Sequence, residues 1–158
     1  MTPVGLADAS VLSFEQFFAH AWAGAFRLAC LLTQDRGAAE DIAQDAFAQM
    51  YKTWGRAERP DAYLRTTVVN RCRNWRRHAR VREEKLPLIA TAVSVDFRAD
   101  ELADVVASLP FRQRAVIVLR YYGGLSEAEI GAALGCRTGT VKSLSSRALA
   151  RLERVIER

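Results

Sequence analysis

Two small all-α domains joined by a linker are what this sequence predicts, and three observations carry the reading. Apolar residues recur at spacings of three and four in successive stretches of both halves, the period of helices with one buried face. Between Glu83 and Ala99 that period is lost, and a charged start, Pro87 and a run of Ala, Thr, Val and Ser take its place. The charge is also unevenly placed: of a net +5, residues 65 to 85 alone hold +6, whereas residues 1 to 64 sum to −3. The expected division is therefore 1–82 and 100–158, with 83–99 as linker.

In the first half, Phe14, Phe17, Phe18, Ala21, Trp22, Ala25, Leu28, Ala29 and Leu32 form the stripe of a helix from Phe14 to Leu32. Asp35 is placed to cap a second helix over Ala38 to Trp54, with Ile42, Ala43, Ala46, Phe47, Met50 and Trp54 on its buried side. Glu40, Asp41 and Asp45 near its start favour the positive end of the helix dipole. Pro60 suits the first turn of a third helix reaching about Arg82, whose buried stripe is Leu64, Val68, Cys72 and Trp75. Another face carries Asn70, Arg73, Asn74 and Arg77 at i, i+3, i+4 and i+7, flanked by Arg65, Arg71, Arg76 and Arg80. Neighbouring like charges weaken a helix, so this arrangement serves a polyanionic partner rather than the helix itself.

In the second half, Leu102, Val105, Val106 and Leu109 indicate a short helix ended near Pro110. Ala115, Val116, Val118 and Leu119 lie in another, from about Arg112 to Tyr122, stopped by Gly123 and Gly124. Ser126 and Glu129 form a capping box for Glu127 to Leu134, closed by Gly135, and Thr138 is the expected N-cap of a last helix reaching Val155 or Ile156. Two short helices separated by Gly135, Cys136 and Arg137 make a helix-turn-helix, whose second helix enters the DNA major groove.

Several classes are excluded. No apolar run reaches the ~20 residues a bilayer span needs; Arg27 interrupts the most hydrophobic early segment. Met1 to Ser10 lacks a basic segment followed by an apolar one, so no secretory signal is expected. Three scattered cysteines, Cys30, Cys72 and Cys136, fit buried thiols in a reducing compartment, which predicts a cytoplasmic protein. Cys72 and His78 have no ligand-spaced partners, so neither metal nor cofactor is expected. With only His20 and His78, no phosphate loop and no nucleophile motif, the chain is expected not to be an enzyme.

From Phe14 to Leu152 the chain resembles the extracytoplasmic-function sigma factors of the sigma-70 family, in wording closest to the actinobacterial SigE-like subgroup. The carriers are residues 39–47 (AEDIAQDAF), 61–65 (DAYLR), 69–77 (VNRCRNWRR), Leu109-Pro110, Gln113-Arg114, Gly131, Gly135, 139–143 (GTVKS) and 146–152 (SRALARL). The resemblance implies a helical region 2 domain and a helix-turn-helix region 4 domain, and directs core RNA polymerase to a subset of promoters. It implies polymerase docking through Asp41, Gln44, Asp45, Phe47 and Met50. It further implies capture of the melted minus-ten strand by Asn70, Arg73, Asn74, Arg76, Arg77 and Arg80. Reading of the minus-thirty-five duplex falls to Arg137, Thr138, Lys142, Ser143, Ser146 and Arg147. The chemistry agrees: arginines neutralise phosphates, and an asparagine amide offers a donor and an acceptor to a base edge.

One position departs from the family. Leu144 stands where a polar or basic residue is usual, and either packs inward at i+3 from Val141 or touches a thymine methyl. Trp75, continuing the buried stripe, is expected in the core. The resemblance also admits an anti-sigma protein as a partner. The competing reading is a dimeric helix-turn-helix regulator with an N-terminal sensing domain. The second half fits it equally; a multi-arginine helix with paired asparagines directly before the linker does not.

Overall fold

The computed structural model describes residues 12–85 and 101–157 of the chain. Residues 86–99 of the expected linker and the first ten residues, where no secretory signal is expected, lie outside them. Every regular element described is helical: α1 (Phe14–Thr33), α2 (Arg36–Lys52), α3 (Pro60–Lys85), α4 (Glu101–Ser108), α5 (Phe111–Ile117), α6 (Glu127–Leu134) and α7 (Thr138–Ile156). Val118–Tyr122 continues α5 as a π-helical turn.

Local chemistry sets the ends. Ser13 and Gln16 form a reciprocal capping box at the start of α1, and Gln34 ends it in the left-handed region at φ 57°. Asp35 accepts from the Ala38 N–H at 3.0 Å and so caps α2, as its sequence predicts. Helix α3 runs three residues beyond the expected end at Arg82. Ser126 and Glu129 make the expected capping box on α6, and Gly135 closes it at φ 67°, a conformation glycine adopts without a Cβ penalty.

Helices α1, α2 and α3 pack mutually. Their shared interior holds Leu32, Ala29, Cys30, Ala43, Ala46, Phe47, Met50, Val68 and Cys72, all at most 2 % exposed. An aromatic cluster closes one end: the Phe18 and Phe47 rings meet edge to face at 4.8 Å, and Phe17 lies 5.2 Å from Trp54. Trp75 is half-buried against this core, as expected from its place in the stripe. The second half is built on α7, which packs against α4, α5 and α6. Leu109, Ile117, Ala148 and Leu152 form a satellite cluster there.

The main core does not stop at the linker. Ala115, Val116, Leu119, Ile130 and Val141 of the second half are continuous with Leu28, Leu32 and Val68 of the first. Helix α3 packs against α6, and α1 against α5 and the π-helical turn. The two halves share one apolar interior, which sequence periodicity alone does not reveal.

Candidate nucleic-acid interface

Helix α3 presents its polar face as the spacing demands. Asn70, Asn74, Arg77 and Arg80 are exposed, with Arg73 and Arg76 half-buried beside them. This stretch of α3 is amphipathic by charge rather than by mean hydropathy: Val68, Val69 and Cys72 hold the inner side at 1 % exposure or less, which fixes the direction of the arginines. Arg71, adjacent to Asn70, turns the other way. It donates to the Gln49 Oε1 at 3.0 Å and pairs with the Asp45 carboxylate at 3.6 Å, bracing α3 on α2.

The second surface is the helix-turn-helix formed by α6 and α7. Gly131 permits it: a Cβ there would meet the Cys136 carbonyl at 2.7 Å, so only glycine lets the turn close back on α6. The Cys136 N–H donates to the Gly131 carbonyl at 2.9 Å and locks that turn. Arg137, Thr138, Lys142, Ser143, Ser146 and Arg147 are all exposed, the last four along the outer face of α7. Lys142 lies 3.9 Å from the Glu127 carboxylate, an exposed pair that solvent and salt screen readily. Thr138 is not the N-cap expected from the sequence. Arg137 holds that position in extended conformation, with no side-chain cap bond, because the tight Gly131–Cys136 turn starts the helix one residue earlier.

The fold decides the Leu144 alternative. Leu144 is 8 % exposed and belongs to the main core beside Val141, so it packs inward and is not offered to a thymine methyl.

Helix α2 carries the acidic face. Asp41, Gln44 and Asp45 are exposed, but Phe47 and Met50 are 2 % and 1 % exposed. Their spacing with Ile42, Ala43 and Ala46 points them at α1 and α3, where the aromatic cluster buries them.

The comparisons with known proteins bear on this geometry. The family models described as Sigma-70 region 2 and Sigma-70, region 4 match residues 18–82 and 99–152. The chain belongs to the sigma-70 family. It is similar to the RNA polymerase sigma-E factor of Streptomyces avermitilis, 37 % identical over 96 % of this chain and 89 % of that protein. It is similar also to the extracytoplasmic-function RNA polymerase sigma factor SigL of Mycobacterium tuberculosis, 36 % identical over 75 % of this chain and 74 % of that one. The fold matches a Bartonella quintana sigma factor, RpoE, solved in complex with the anti-sigma factor NepR, at a TM-score of 0.70. There the identity is 23 % over 91 % of this chain and 96 % of that one.

In this sigma factor four arginines that periodicity does not single out as structural join the two regions. Arg114 Nη2 donates to the Leu32 carbonyl at 2.9 Å and its Nη1 to the Leu109 carbonyl at 2.9 Å. Burial pulls the Arg114 guanidinium down to about 10, helped by repulsion from Arg76, so it stays charged at neutral pH and needs those carbonyls. Arg65 Nη1 donates to the Gly123 carbonyl at 2.8 Å, and the Arg27 guanidinium lies 5.5 Å from the centre of the Tyr122 ring. Arg73, which the resemblance assigns to DNA, donates to the Ala133 carbonyl at 3.1 Å. That places a cation at the C-terminal, negative end of α6, where the last carbonyls lack helical partners. One signal was present in the sequence: Arg114 sits directly before the apolar run 115–119, where a charge needs a buried reason.

Proposed function

We infer that this chain is an alternative sigma factor that binds core RNA polymerase and directs it to promoters by two DNA contacts, and that it is not itself an enzyme. The observation that carries the reading is the co-occurrence, in one chain, of an exposed asparagine and arginine face on α3 and an exposed helix-turn-helix on α6 and α7. Asn70 and Asn74 supply base-edge contacts to the melted minus-ten strand, and Arg73, Arg76, Arg77 and Arg80 neutralise its phosphates. Arg137, Thr138, Lys142, Ser143, Ser146 and Arg147 meet the minus-thirty-five duplex. Helix α2 docks on the polymerase through Asp41, Gln44 and Asp45, with Phe47 and Met50 of the same segment. An anti-sigma protein is a further partner, supported by the complex in which the structurally similar RpoE is found. The site of action is the cytoplasm, where the polymerase is; among the described residues no helix is long and apolar enough to cross a membrane.

The test is run-off transcription from genomic fragments with purified core polymerase. Transcripts sharing an upstream motif support the sigma reading. DNA binding by a dimer of the chain alone, with no transcript, supports the ligand-sensing regulator in its place.

A further inference from the structure

We propose that Arg71 is a positioning residue for strand capture: through Asp45 and Gln49 of α2 it fixes the roll of α3, and with it the aim of neighbouring Asn70. The proposal rests on the reading of α3 as the strand-capturing helix. Arg71 Nη2 donates to Gln49 Oε1 at 3.0 Å, and its Nη1 lies 3.6 Å from the Asp45 carboxylate. Gln49 extends the chain of contacts, since its Nε2 donates to Tyr63 Oη at 3.2 Å. Asp45 and Gln49 are about one turn apart on α2, and Tyr63 and Arg71 about two turns apart on α3. Gln49 is thus held at both ends of that two-turn span. Arg71 Nε is buried and has no hydrogen-bond partner among the described residues, so the two outer nitrogens hold the guanidinium in place.

Apolar packing alone leaves this roll loosely set. The inner side of α3 at this level is Val68, Val69 and Cys72, and contacts between such groups have no preferred direction. Hydrogen bonds do, and weaken steeply as they bend. A base-edge contact needs its amide held to within about 0.5 Å and 10–20°. Asn70 is exposed, so its aim is inherited from the helix that carries it. Successive helical residues project about 100° apart, and with Arg71 tied to α2, Asn70 is left facing outward. Arg71 carries the same charge as the arginines assigned to DNA, but both acceptors it meets lie on α2. Its effect on the melted strand therefore passes through Asn70 rather than through a phosphate.

The experiment is a double-mutant cycle read by permanganate probing of a promoter recovered by run-off transcription, with the full chain at equal occupancy of core polymerase. Arg71→Ala and Gln49→Ala are each compared in the wild-type and the Asn70→Ala background. In the wild-type background Arg71→Ala should lower thymine reactivity at the minus-ten element about fivefold, and Gln49→Ala by a smaller factor. In the Asn70→Ala background neither should lower the residual reactivity further. Gln49→Ala truncates an exposed side chain and keeps the test open should Arg71→Ala fail to fold. Lowering by the same factor in both backgrounds would overturn the proposal, because Arg71 would then touch the strand itself or serve the fold alone. Reactivity unchanged by either variant, with wild type reactive, would also defeat the positioning role and leave the sigma reading intact. Absence of reactive thymines with wild type would defeat the sigma reading and the positioning role with it.

Discussion

Arg114, on α5 in the second region, donates through Nη2 to the carbonyl of Leu32 at the C-terminal turn of α1, 2.9 Å away and 82 residues distant in sequence. The bond is buried, and Arg114 also holds the Ala107 and Leu109 carbonyls. One guanidinium thus closes the end of α1, the end of α4 and the seam between the regions. Arg114→Ala leaves those carbonyls unpaired and should cost about 2–4 kcal/mol in urea denaturation. A midpoint within error of wild type would show that the seam contributes nothing to stability.

Arg77 is exposed and has no bond across the seam, whereas Arg73 is bonded to the Ala133 carbonyl. Arg77→Ala should leave the thermal midpoint unchanged, lower open-complex formation, and reduce the salt slope of promoter binding by about one. Arg73→Ala should lower open-complex formation too, but loosen α6 by about 1 kcal/mol through loss of its C-terminal cation. Core polymerase binding should survive in both. Its loss would overturn the assignment of α2 as the docking helix.

Arg147 lies on the outer face of α7, free of the core. Arg147→Ala should weaken discrimination for the upstream element by ~1–3 kcal/mol, measured as the affinity ratio between native and scrambled duplexes. Equal loss on both duplexes would make it a phosphate contact only.

Leu144 tests the interior of the same helix. Leu144→Ala should cost about 2–3 kcal/mol of stability, the lower part of the range for a buried leucine because 8 % remains exposed. The base preference at the upstream element should not change. A changed preference with unchanged stability would return Leu144 to the DNA face.

Burial pushes the Cys30 thiol up to about 11 and the Cys72 thiol to about 12, from 9.0. For Cys30, Arg36 offsets part of the rise and Asp35 adds to it. Both thiols hold their protons more tightly folded than unfolded, so their contribution to stability is complete below pH 9 and is lost as pH rises toward 11 to 12. Iodoacetamide at pH 8 should label half-buried Cys136 first and the other two only on unfolding. Rapid labelling of Cys72 in the native chain would contradict the burial.

Much of this architecture is legible locally. Ser126, Glu129 and Gly135 delimit α6 because a capping box and a left-handed closing residue act over a few positions. Asn70, Asn74 and Arg77 reach the surface because the opposite stripe of α3 is apolar. Phe47 and Met50 are buried because they continue the apolar stripe of Ile42, Ala43 and Ala46 toward α1, a placement their spacing already implies. The seam was not legible at all. Its bonds join Arg65 to Gly123, Arg73 to Ala133 and Arg114 to Leu32 across 58, 60 and 82 residues, and periodicity holds no information on pairings of that range. That is also why nothing in the sequence marks Arg73 as a bond across the seam.

The most direct measurement is permanganate probing of unpaired thymines on a promoter recovered by run-off transcription, using core polymerase with the wild-type chain, Asn70→Ala or Arg77→Ala. The account predicts reactive thymines at the minus-ten element with wild type and markedly fewer with either variant, at equal occupancy of core. Undiminished reactivity in both variants would contradict it, because strand capture would then lie elsewhere than on α3.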